Sequence, residues 1–170
     1  MPDALLDSLS CERRRASWNK TLSGEDSETR VWLLERDGHL VGFVACGRSR
    51  EPAADGAAEI YAIYQEESVA GTGVGGALFE HALRDLSSRG YERVVLWVLE
   101  SNSRARKFYE RFGMTFDGGQ KTETIEGNPL RHVRYCGLRS SHQAMGVSTS
   151  IRSPRPVDGT SVAESRRPPP

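Results

Sequence analysis

The stretch AEIYAIYQEESVAGTGVGGALFEHAL, residues 58–83, decides the fold of this chain. Its first eight residues are rich in aromatic and branched side chains, which is typical of a β-strand. Its second half carries Val74, Leu78 and Ala82 at helical spacing, which predicts an amphipathic helix. The four glycines of residues 71–76 lie between the two, so a glycine-rich connection links a strand to a helix.

The chain that follows predicts a buried strand, a helix and a pair of strands. RVVLWVL, residues 93–99, is almost continuously apolar, as expected for a central strand with both faces buried. SNSRARKFYERFG, residues 101–113, predicts a helix with Ser101 or Asn102 as its N-cap and Gly113 as its stop. The final pair of strands is expected in MTFDGGQKT, residues 114–122, and HVRYCGL, residues 132–138, joined by a loop around 126–129.

The chain before residue 58 predicts a helix over 5–22 and a β-hairpin. Two apolar runs, 31–35 and 40–47, flank a polar turn that contains Asp37-Gly38. The order of all these elements implies a single mixed sheet, mostly antiparallel with one parallel crossover. We therefore predict an α/β (α+β) domain over residues 1–138, with a mixed, mostly antiparallel sheet flanked by helices.

The composition fits a domain of ordinary size with no affinity for nucleic acid or membranes. Its 170 residues hold 23 Lys and Arg against 23 Asp and Glu, so no net charge attracts polyanions. No stretch approaches the roughly 18 apolar residues of a membrane span, and no secretory signal is recognisable. Cys11, Cys46 and Cys136 are too few and too scattered for a disulfide framework or a metal cage. We therefore expect a cytoplasmic protein without a metal site.

The C-terminal segment, residues 139–170, differs from the body in composition. It holds five of the eight prolines and five arginines against two acidic residues, with only isolated apolar residues such as Ile151. Such a segment buries too little apolar surface to offset its ordering entropy. We predict a disordered tail.

The glycine-rich stretch predicts either a phosphate cradle or a tight turn. A helix N-terminus presents unpaired N–H groups, and glycines let a phosphate approach them closely. Four glycines in six residues exceed what a turn needs, which favours the phosphate. The dinucleotide fingerprint G-x-G-x-x-G is also satisfied, with Glu100 near the position of a ribose-binding acid. That fingerprint normally opens its domain directly after a strand, whereas here three predicted strands precede it and residues 66–70 intervene.

Two motifs together resemble the GNAT superfamily of N-acetyltransferases, over about residues 5–138. The cofactor motif of that family, Gln/Arg-x-x-Gly-x-Gly/Ala, is similar to AGTGVG, residues 70–75, although Ala70 replaces the polar first residue. The second signature, an Asn followed by a helix ending in Phe-Tyr-x-x-x-Gly, matches Asn102 and FYERFG, residues 108–113.

The resemblance implies acetyl-CoA as acetyl donor and indicates which residues bind it. The diphosphate is expected on the N–H groups of the glycine-rich stretch, and the pantetheine arm beside residues 63–65 like an additional strand. Asn102 is expected to contact the cofactor, with a helix N-cap as its alternative role. The expected cofactor-binding residues are Ile63, Tyr64, Gln65, Gly71, Thr72, Gly73, Val74, Gly75, Gly76 and Asn102.

The same resemblance implies two catalytic residues, Tyr109 and Glu59. Tyr109 would protonate the departing thiolate, and its alternative role is that of a core aromatic beside Phe108 and Phe112. Glu59 would accept a proton from the amine, directly or through water, and its alternative role is that of a solvent-facing strand residue. The basic stripe of the same helix is either a solvated face or a contact for the adenosine 3′-phosphate.

One departure from the family concerns the start of the chain. Members usually begin with a strand and a helix ahead of the helix predicted here over 5–22, and this sequence does not contain them. The resemblance therefore implies that the strand over 31–35 is left as an exposed sheet edge.

The expected function is acetyl transfer from acetyl-CoA to a primary amine of a small molecule, by direct attack in a ternary complex. A homodimer is left open, as is the identity of the acceptor. The alternative from another class is a coenzyme A-binding module without catalysis. A nucleotide-dependent oxidoreductase is a more distant alternative, because only the lone fingerprint supports it.

Overall fold

A computed structural model of the chain describes residues 28–51, 54, 56–125, 127–138 and 150–152. The helix predicted over 5–22 lies outside these residues. The described elements are the strands and helices β1 Arg30–Arg36, β2 His39–Arg48, β3 Ala58–Gln65, α1 Val74–Ser88, β4 Arg93–Leu99, α2 Ser103–Arg111, β5 Thr115–Ile125, β6 Asn128–Leu138 and β7 Ser150–Arg152.

The strands form one sheet in the order β5-β6-β4-β3-β2-β1-β7. Among the described strands only β3 and β4 run parallel, and every other pair is antiparallel. The glycine-rich connection and α1 form the crossover between these two parallel strands. The prediction of a mixed, mostly antiparallel sheet with one parallel crossover is confirmed.

The predicted hairpin forms around a two-residue turn. Asp37 and Gly38 both have positive φ, 51° and 78°, which is the backbone geometry that suits a tight connection between twisted strands. Asp tolerates this region better than most residues, and glycine has no side chain to oppose it.

The main core lies on the face of the sheet that α1 covers, which we name the helix face. Leu78, Phe79, Ala82 and Leu86 of α1 are fully buried there. The partners contributed by the parallel strands include Ile60 and Leu96, and the aromatic residues of α2 belong to the same cluster.

The opposite face of the sheet, which we name the far face, has a smaller apolar cluster. Ala54, Ala57 and Val95 are buried together there. Because side chains alternate along a strand, Val95 points away from Leu96, and its register partner Glu59 points away from Ile60. Glu59 therefore belongs to the far face.

The structure corrects the sequence prediction at the outer edge of β1. Ser150–Arg152, in the segment predicted to be disordered, form β7 and pair antiparallel with β1, with Ile151 opposite Leu34. Ile151 is partly buried and packs against the main core. An isolated apolar residue gave no periodic signal, yet it finds both a buried site and open backbone groups at the sheet edge. The strand over 31–35 is therefore not an exposed edge, and the rest of 139–170 lies outside the described residues.

Candidate active site

The site is built around a break in the sheet between β3 and β4. The two strands pair only over Ala58–Ile60 and Val94–Leu96, although both continue further. The register between β2 and β3 shifts here, since Cys46 lies opposite Ile60 and Ala45 opposite Ala62. The extra residue is Tyr61, and a β-bulge of this kind bends its strand and increases the local twist. The break forms a cleft, with residues 61–65 on one side and 97–99 on the other.

The backbone of β3 presents hydrogen-bonding groups to this cleft at alternate residues. Glu66 donates its backbone N–H to the carbonyl of Val41 of β2, at 2.9 Å. The backbone N–H and C=O groups of every second residue before Glu66 therefore also point towards β2. Ile63 and Gln65 consequently direct their N–H and C=O groups away from β2 and into the cleft. Tyr64 points its backbone groups at β2, which is why the backbone contact predicted for Tyr64 does not fit this register.

The side chain of Tyr64 lies on the far face, where its ring stacks on Phe43 at 5.8 Å. It is 56% exposed, the highest value among the large apolar side chains of the described residues. Tyr64 thus offers an accessible aromatic surface on the far face beside the cleft.

The glycine-rich stretch forms the start of α1. Gly71 and Gly73 have positive φ, 79° and 91°, a conformation that side chains other than glycine rarely adopt. Apart from the adjoining residues, no atom of the described part of the chain lies within 4 Å of the position that a Cβ would take at either glycine. The first helical hydrogen bond is donated by Ala77 to Gly73, at 2.9 Å. The three preceding amides, at residues 74–76, have no acceptor within the helix, and unpaired amides of this kind are what an anion binds at a helix N-terminus. We name these three amides the anion site.

Two members of the stretch have packing roles besides. A Cβ on Gly75 would lie 2.8 Å from Oε1 of Gln65, so the end of β3 is in contact with the start of α1. A Cβ on Gly76 would lie 3.3 Å from the ring of Phe112 in the segment after α2. Both glycines therefore let β3 and the aromatic residues around α2 approach α1 closely.

Thr72 and Val74 contribute differently from the sequence prediction. The Thr72 hydroxyl donates to the carbonyl of Val69 at 2.7 Å, and its amide donates to the same carbonyl at 3.2 Å. These bonds stabilise the turn and leave the donors of Thr72 engaged. The side chain of Val74 is buried in the core, so only its amide faces the anion site.

Tyr109 lies on α2 within a cluster of aromatic rings. It is 8% exposed, and its ring centroid lies 5.5 Å from that of Phe79 and 5.3 Å from that of Phe108. The phenol hydroxyl has no hydrogen-bond partner among the described residues. Burial raises the pKa of Tyr109 to about 12. The residue therefore holds its proton throughout the neutral and mildly alkaline range, with an unfilled capacity to donate it.

Asn102 forms the N-cap of α2. Its side-chain oxygen accepts a hydrogen bond from the amide of Ala105 at 3.0 Å. This is the structural role that the sequence left open beside cofactor binding. The carboxamide NH₂ group of Asn102 is exposed and retains its two donors.

Glu59 is 9% exposed and is the one buried charged side chain among the described residues. Its Oε2 accepts a hydrogen bond from the amide of Arg50 at 3.0 Å and lies 3.5 Å from the Ser49 hydroxyl. These contacts fix the carboxylate at the last paired segment of the sheet, directly before the bulge. The alternative of a solvent-facing residue is wrong for Glu59.

The environment of Glu59 was not foreseen from the sequence. Ser49 and Arg50 belong to a polar loop with no motif, and nine or more residues separate them from Glu59. The Arg50 guanidinium lies 3.8 Å from the centre of the Tyr61 ring, and the Tyr61 hydroxyl donates to the carbonyl of Arg48. Only the pairing of β2 with β3 brings this loop to the far face.

Glu59 and Tyr109 lie on opposite faces of the sheet. Tyr109 belongs to the helix-face core together with Ile60, whereas Glu59 is on the far face. The cleft opens directly after Ile60, the residue that follows Glu59 along β3.

The basic stripe of α2 divides into two parts. Arg106 turns inward and bonds to Tyr135 of β6, at 3.1 Å. The other members line a shallow depression of about 570 Å³ on the outer surface of α2, together with Glu110; they are Arg104, Lys107 and Arg111. The depression is formed by α2 alone, and it is separate from the cleft because none of the residues that line the cleft contributes to it.

With this geometry in place, comparisons with known proteins identify the family. The family model described as the acetyltransferase (GNAT) family matches residues 3–114. The chain belongs to this family.

Within the described residues, no helix is long and apolar enough to cross a membrane.

Relatives and solved structures agree with this assignment. A probable N-acetyltransferase of Mycobacterium tuberculosis is 32% identical over 112 residues, which covers 65% of this chain and 62% of the relative. A mycothiol acetyltransferase of Thermobispora bispora is 40% identical over 86 residues, 49% of this chain and 29% of that protein. The chain thus spans less than two thirds of either relative. An N-acetyltransferase structure from Staphylococcus aureus Mu50 has the same fold, with a TM-score of 0.64, 21% identity, and coverage of 81% and 87% of the two chains.

Proposed function

We propose that this chain transfers the acetyl group of acetyl-CoA to a primary amine of a small molecule. The observation that carries the proposal is the contact between the open edge of β3 and the amide-rich start of α1, through Gln65 and Gly75. A diphosphate on the α1 amides would bring the pantetheine arm directly to the cleft. There the arm would pair with the backbone groups of Ile63 and Gln65 as an additional strand.

The donor set fits coenzyme A. The diphosphate is an anion that suits unpaired amides at a helix N-terminus, and Gly71 and Gly73 leave room for it to approach. The amide-bearing pantetheine arm needs both donors and acceptors, which an open strand edge supplies. The exposed NH₂ group of Asn102 is a further donor for the arm. Gly75 and Gly76 keep α1 close to β3, so the two subsites stay adjacent.

The reaction needs a proton at the sulfur and one fewer at the nitrogen. The amine nitrogen attacks the thioester carbon, the carbon–sulfur bond breaks, and the electron pair leaves on sulfur. Tyr109 gives its proton to that sulfur and later regains one from solvent. Its raised pKa ensures that the proton is in place when the thiolate departs.

Glu59 is the residue we assign to the amine. An alkylammonium ion, with a pKa near 10.4, must lose a proton before it can attack at neutral pH. The contacts of Glu59 from Arg50 and Ser49 both go to Oε2. This leaves Oε1 to accept the proton, directly or through a water molecule. The amine would therefore enter from the far face, opposite the phenol.

Direct attack is favoured because the described cysteines are poor nucleophiles. Burial raises the pKa of Cys46 to about 12, and burial also raises the pKa of Cys136. Both thiols stay protonated near neutral pH, whereas nucleophilic catalysis requires the thiolate. The amine is therefore expected to attack acetyl-CoA directly in a ternary complex, without an acetylated cysteine as intermediate. These free thiols also suit a reducing cytoplasm.

The test is release of CoA thiol from acetyl-CoA over a panel of polyamines, amino sugars and amino acids, with short peptides as the competing acceptor class. The expected result is turnover with at least one small amine and an acetylated product of the matching mass. Binding of acetyl-CoA by calorimetry without turnover would instead favour the non-catalytic coenzyme A-binding module. Peptide turnover alone would contradict the small-molecule acceptor.

A further inference from the structure

The Tyr135 hydroxyl, on β6, is held by two charged side chains of α2. Tyr135 is 1% exposed, and its oxygen accepts a hydrogen bond from Nε of Arg106 at 3.1 Å. The same hydroxyl donates to Oε1 of Glu110 at 2.7 Å. Both bonds involve an ionised partner, which makes them stronger than hydrogen bonds between neutral groups.

The network joins three elements around the cleft. Arg106 and Glu110 are four residues apart and therefore lie on one side of α2. Nη1 of Arg106 also donates to the carbonyl of Glu100, at 3.1 Å, directly after β4. Because β4 forms one wall of the cleft, Arg106 connects that wall to the helix that carries Tyr109.

This network completes the positioning of α2. The helix has nine residues, and Tyr109 is the one residue in it that is buried. Its aromatic rings contact Phe79 of α1, which fixes one side of the helix. Contacts on one side alone would leave the helix able to roll about its axis. The bonds to Tyr135 and to the carbonyl of Glu100 anchor it to the sheet as well, and rolling would change where the Tyr109 hydroxyl points.

The Tyr109 hydroxyl is positioned without a hydrogen bond from the described part of the chain. Among the described residues, no hydrogen bond fixes the direction of that hydroxyl. Its direction therefore depends on the helix backbone and on the packing of its ring. General acid catalysis needs the donor within hydrogen-bond reach of the reacting atom, so small rotations of α2 matter.

We propose that Tyr135 is a positioning residue, which acts through Arg106 and Glu110 to aim the Tyr109 hydroxyl into the cleft. The inference rests on the proposed function, because it assigns Tyr135 a part in the proton transfer by Tyr109. Tyr135 does not itself touch the reacting atoms.

The experiment is a double-mutant cycle of Tyr135→Phe and Tyr109→Phe, measured as CoA thiol release with acetyl-CoA and the best amine of the panel. Tyr135→Phe keeps the buried ring and removes only the hydroxyl. We expect it to lower kcat on the order of tenfold, with the KM for acetyl-CoA changed less than about twofold. In the Tyr109→Phe background the same change should lower kcat less than about twofold, since the proton donor is already gone.

Two further variants separate positioning from stability. Glu110→Ala removes an exposed partner of the network without touching the core, and we expect it to lower kcat in the same direction as Tyr135→Phe. Leu34→Val, in the core near the other end of the sheet, is the control with comparable loss of Tm. It should leave kcat at the parental value.

Each outcome decides the inference. Multiplicative effects of the two tyrosine variants, or parental kcat in Tyr135→Phe and Glu110→Ala, would overturn it while leaving acetyl transfer intact. A matching loss of kcat in Leu34→Val would show that lost stability alone explains the effect, which also overturns it. If the parent releases no thiol with any amine, the proposed function fails first and this inference falls with it.

Discussion

Ile60 and Leu96 are the last residues at which β3 and β4 pair, and from there the sheet is open. Both side chains are buried on the helix face, so the paired part of the two strands is fixed in the main core. The bulge at Tyr61 follows immediately. The packed part of β3 and β4 thus ends directly at the cleft. The backbone groups that line the cleft are positioned by the buried strand segments that precede them.

The first prediction concerns the anion site. Gly73→Val places a branched side chain at a residue with φ of 91°, where, in the proposed function, the backbone amides close on a diphosphate. The strain should shift the backbone and remove the donors from their positions. We expect acetyl-CoA to bind at least about tenfold more weakly, which corresponds to about 1.4 kcal/mol, by calorimetry.

Gly90→Val is the matched control for this variant. Gly90 has φ of 88° and lies just beyond the other end of α1, so the same substitution brings the same kind of strain far from the anion site. It should lower Tm but leave acetyl-CoA affinity unchanged. Equal affinity losses in both variants would mean that strain in α1, and not the loss of diphosphate contacts, weakens binding.

The second prediction concerns Tyr109. Tyr109→Phe keeps the ring contacts with Phe79 and Phe108 and removes only the proton that the residue can give. Because the hydroxyl has no protein partner among the described residues, the free energy of unfolding should change by less than about 0.5 kcal/mol. If the phenol protonates the thiolate, kcat should fall on the order of 100-fold while acetyl-CoA still binds.

Tyr91→Phe is the control for the hydroxyl, because Tyr91 lies beyond the C-terminal end of α1. It should leave kcat unchanged. The pH profile gives a second check. Since burial raises the pKa of Tyr109 to about 12, the parent should show no alkaline loss of rate from this residue below about pH 11. Parental kcat in Tyr109→Phe would remove this residue from the mechanism.

The parts of the site that follow from local sequence were predictable. The glycine-rich start of α1 and the cap of α2 at Asn102 both depend on a few neighbouring residues, and both are where the sequence indicates. The assignment of Tyr109 to an apolar stripe is likewise a matter of helical spacing. Short-range rules suffice for these features, because each is formed within one element or at its end.

The parts that depend on pairing between strands were not predictable. The bulge at Tyr61 is a shift of register between β2 and β3, and only this shift determines that Ile63 and Gln65, but not Tyr64, face the cleft. The contacts of Glu59 with Arg50 likewise require the completed sheet. Such contacts join residues that no periodicity relates.

The third prediction concerns Glu59. Glu59→Gln keeps the size of the side chain and an oxygen that can accept from the Arg50 amide, but it cannot take a proton from an amine. We expect kcat at neutral pH to fall on the order of 100-fold, with acetyl-CoA affinity retained. The deficit should become smaller as the pH rises towards the pKa of the amine, because more of the acceptor is then already neutral. A deficit that is constant from pH 7 to 10 would contradict the role of base.

The fourth prediction concerns the β7 strand. Ile151 is partly buried against the main core, opposite Leu34. Ile151→Ala should lower the free energy of unfolding by about 1 kcal/mol, which is a fall in Tm of a few degrees. Truncation after Leu138 should lower Tm at least as much, because it also removes the backbone pairing with β1. Unchanged Tm in both variants would show that β7 adds nothing to the stability of the sheet.

The fifth prediction concerns His81 and the dependence of stability on pH. His81 lies on α1, with its ring in edge contact with that of Trp32 at 4.5 Å. Burial lowers the pKa of His81 below 6.5, Arg84 lowers it further by repulsion, and Asp85 acts in the opposite direction. In the unfolded chain the imidazole has its ordinary pKa and takes up a proton first as the pH falls. The stability linked to neutral His81 is therefore complete above pH 6.5 and is lost as the pH falls towards the folded-state pKa.

The measurement is Tm between pH 8 and pH 5 for the parent and for His81→Gln, which cannot titrate. Both lose stability through other groups at low pH, so the difference between the two curves is the quantity of interest. We expect the parent to lose more than the variant below pH 6.5, because only in the parent does unfolding expose an imidazole that takes up a proton, which the half-buried ring of the folded chain resists. His39→Gln, at the exposed first residue of β2, is the control for replacing a histidine by glutamine and should keep the parent curve. Parallel curves for the parent and His81→Gln would show that the packing against Trp32 does not oppose the charge on His81.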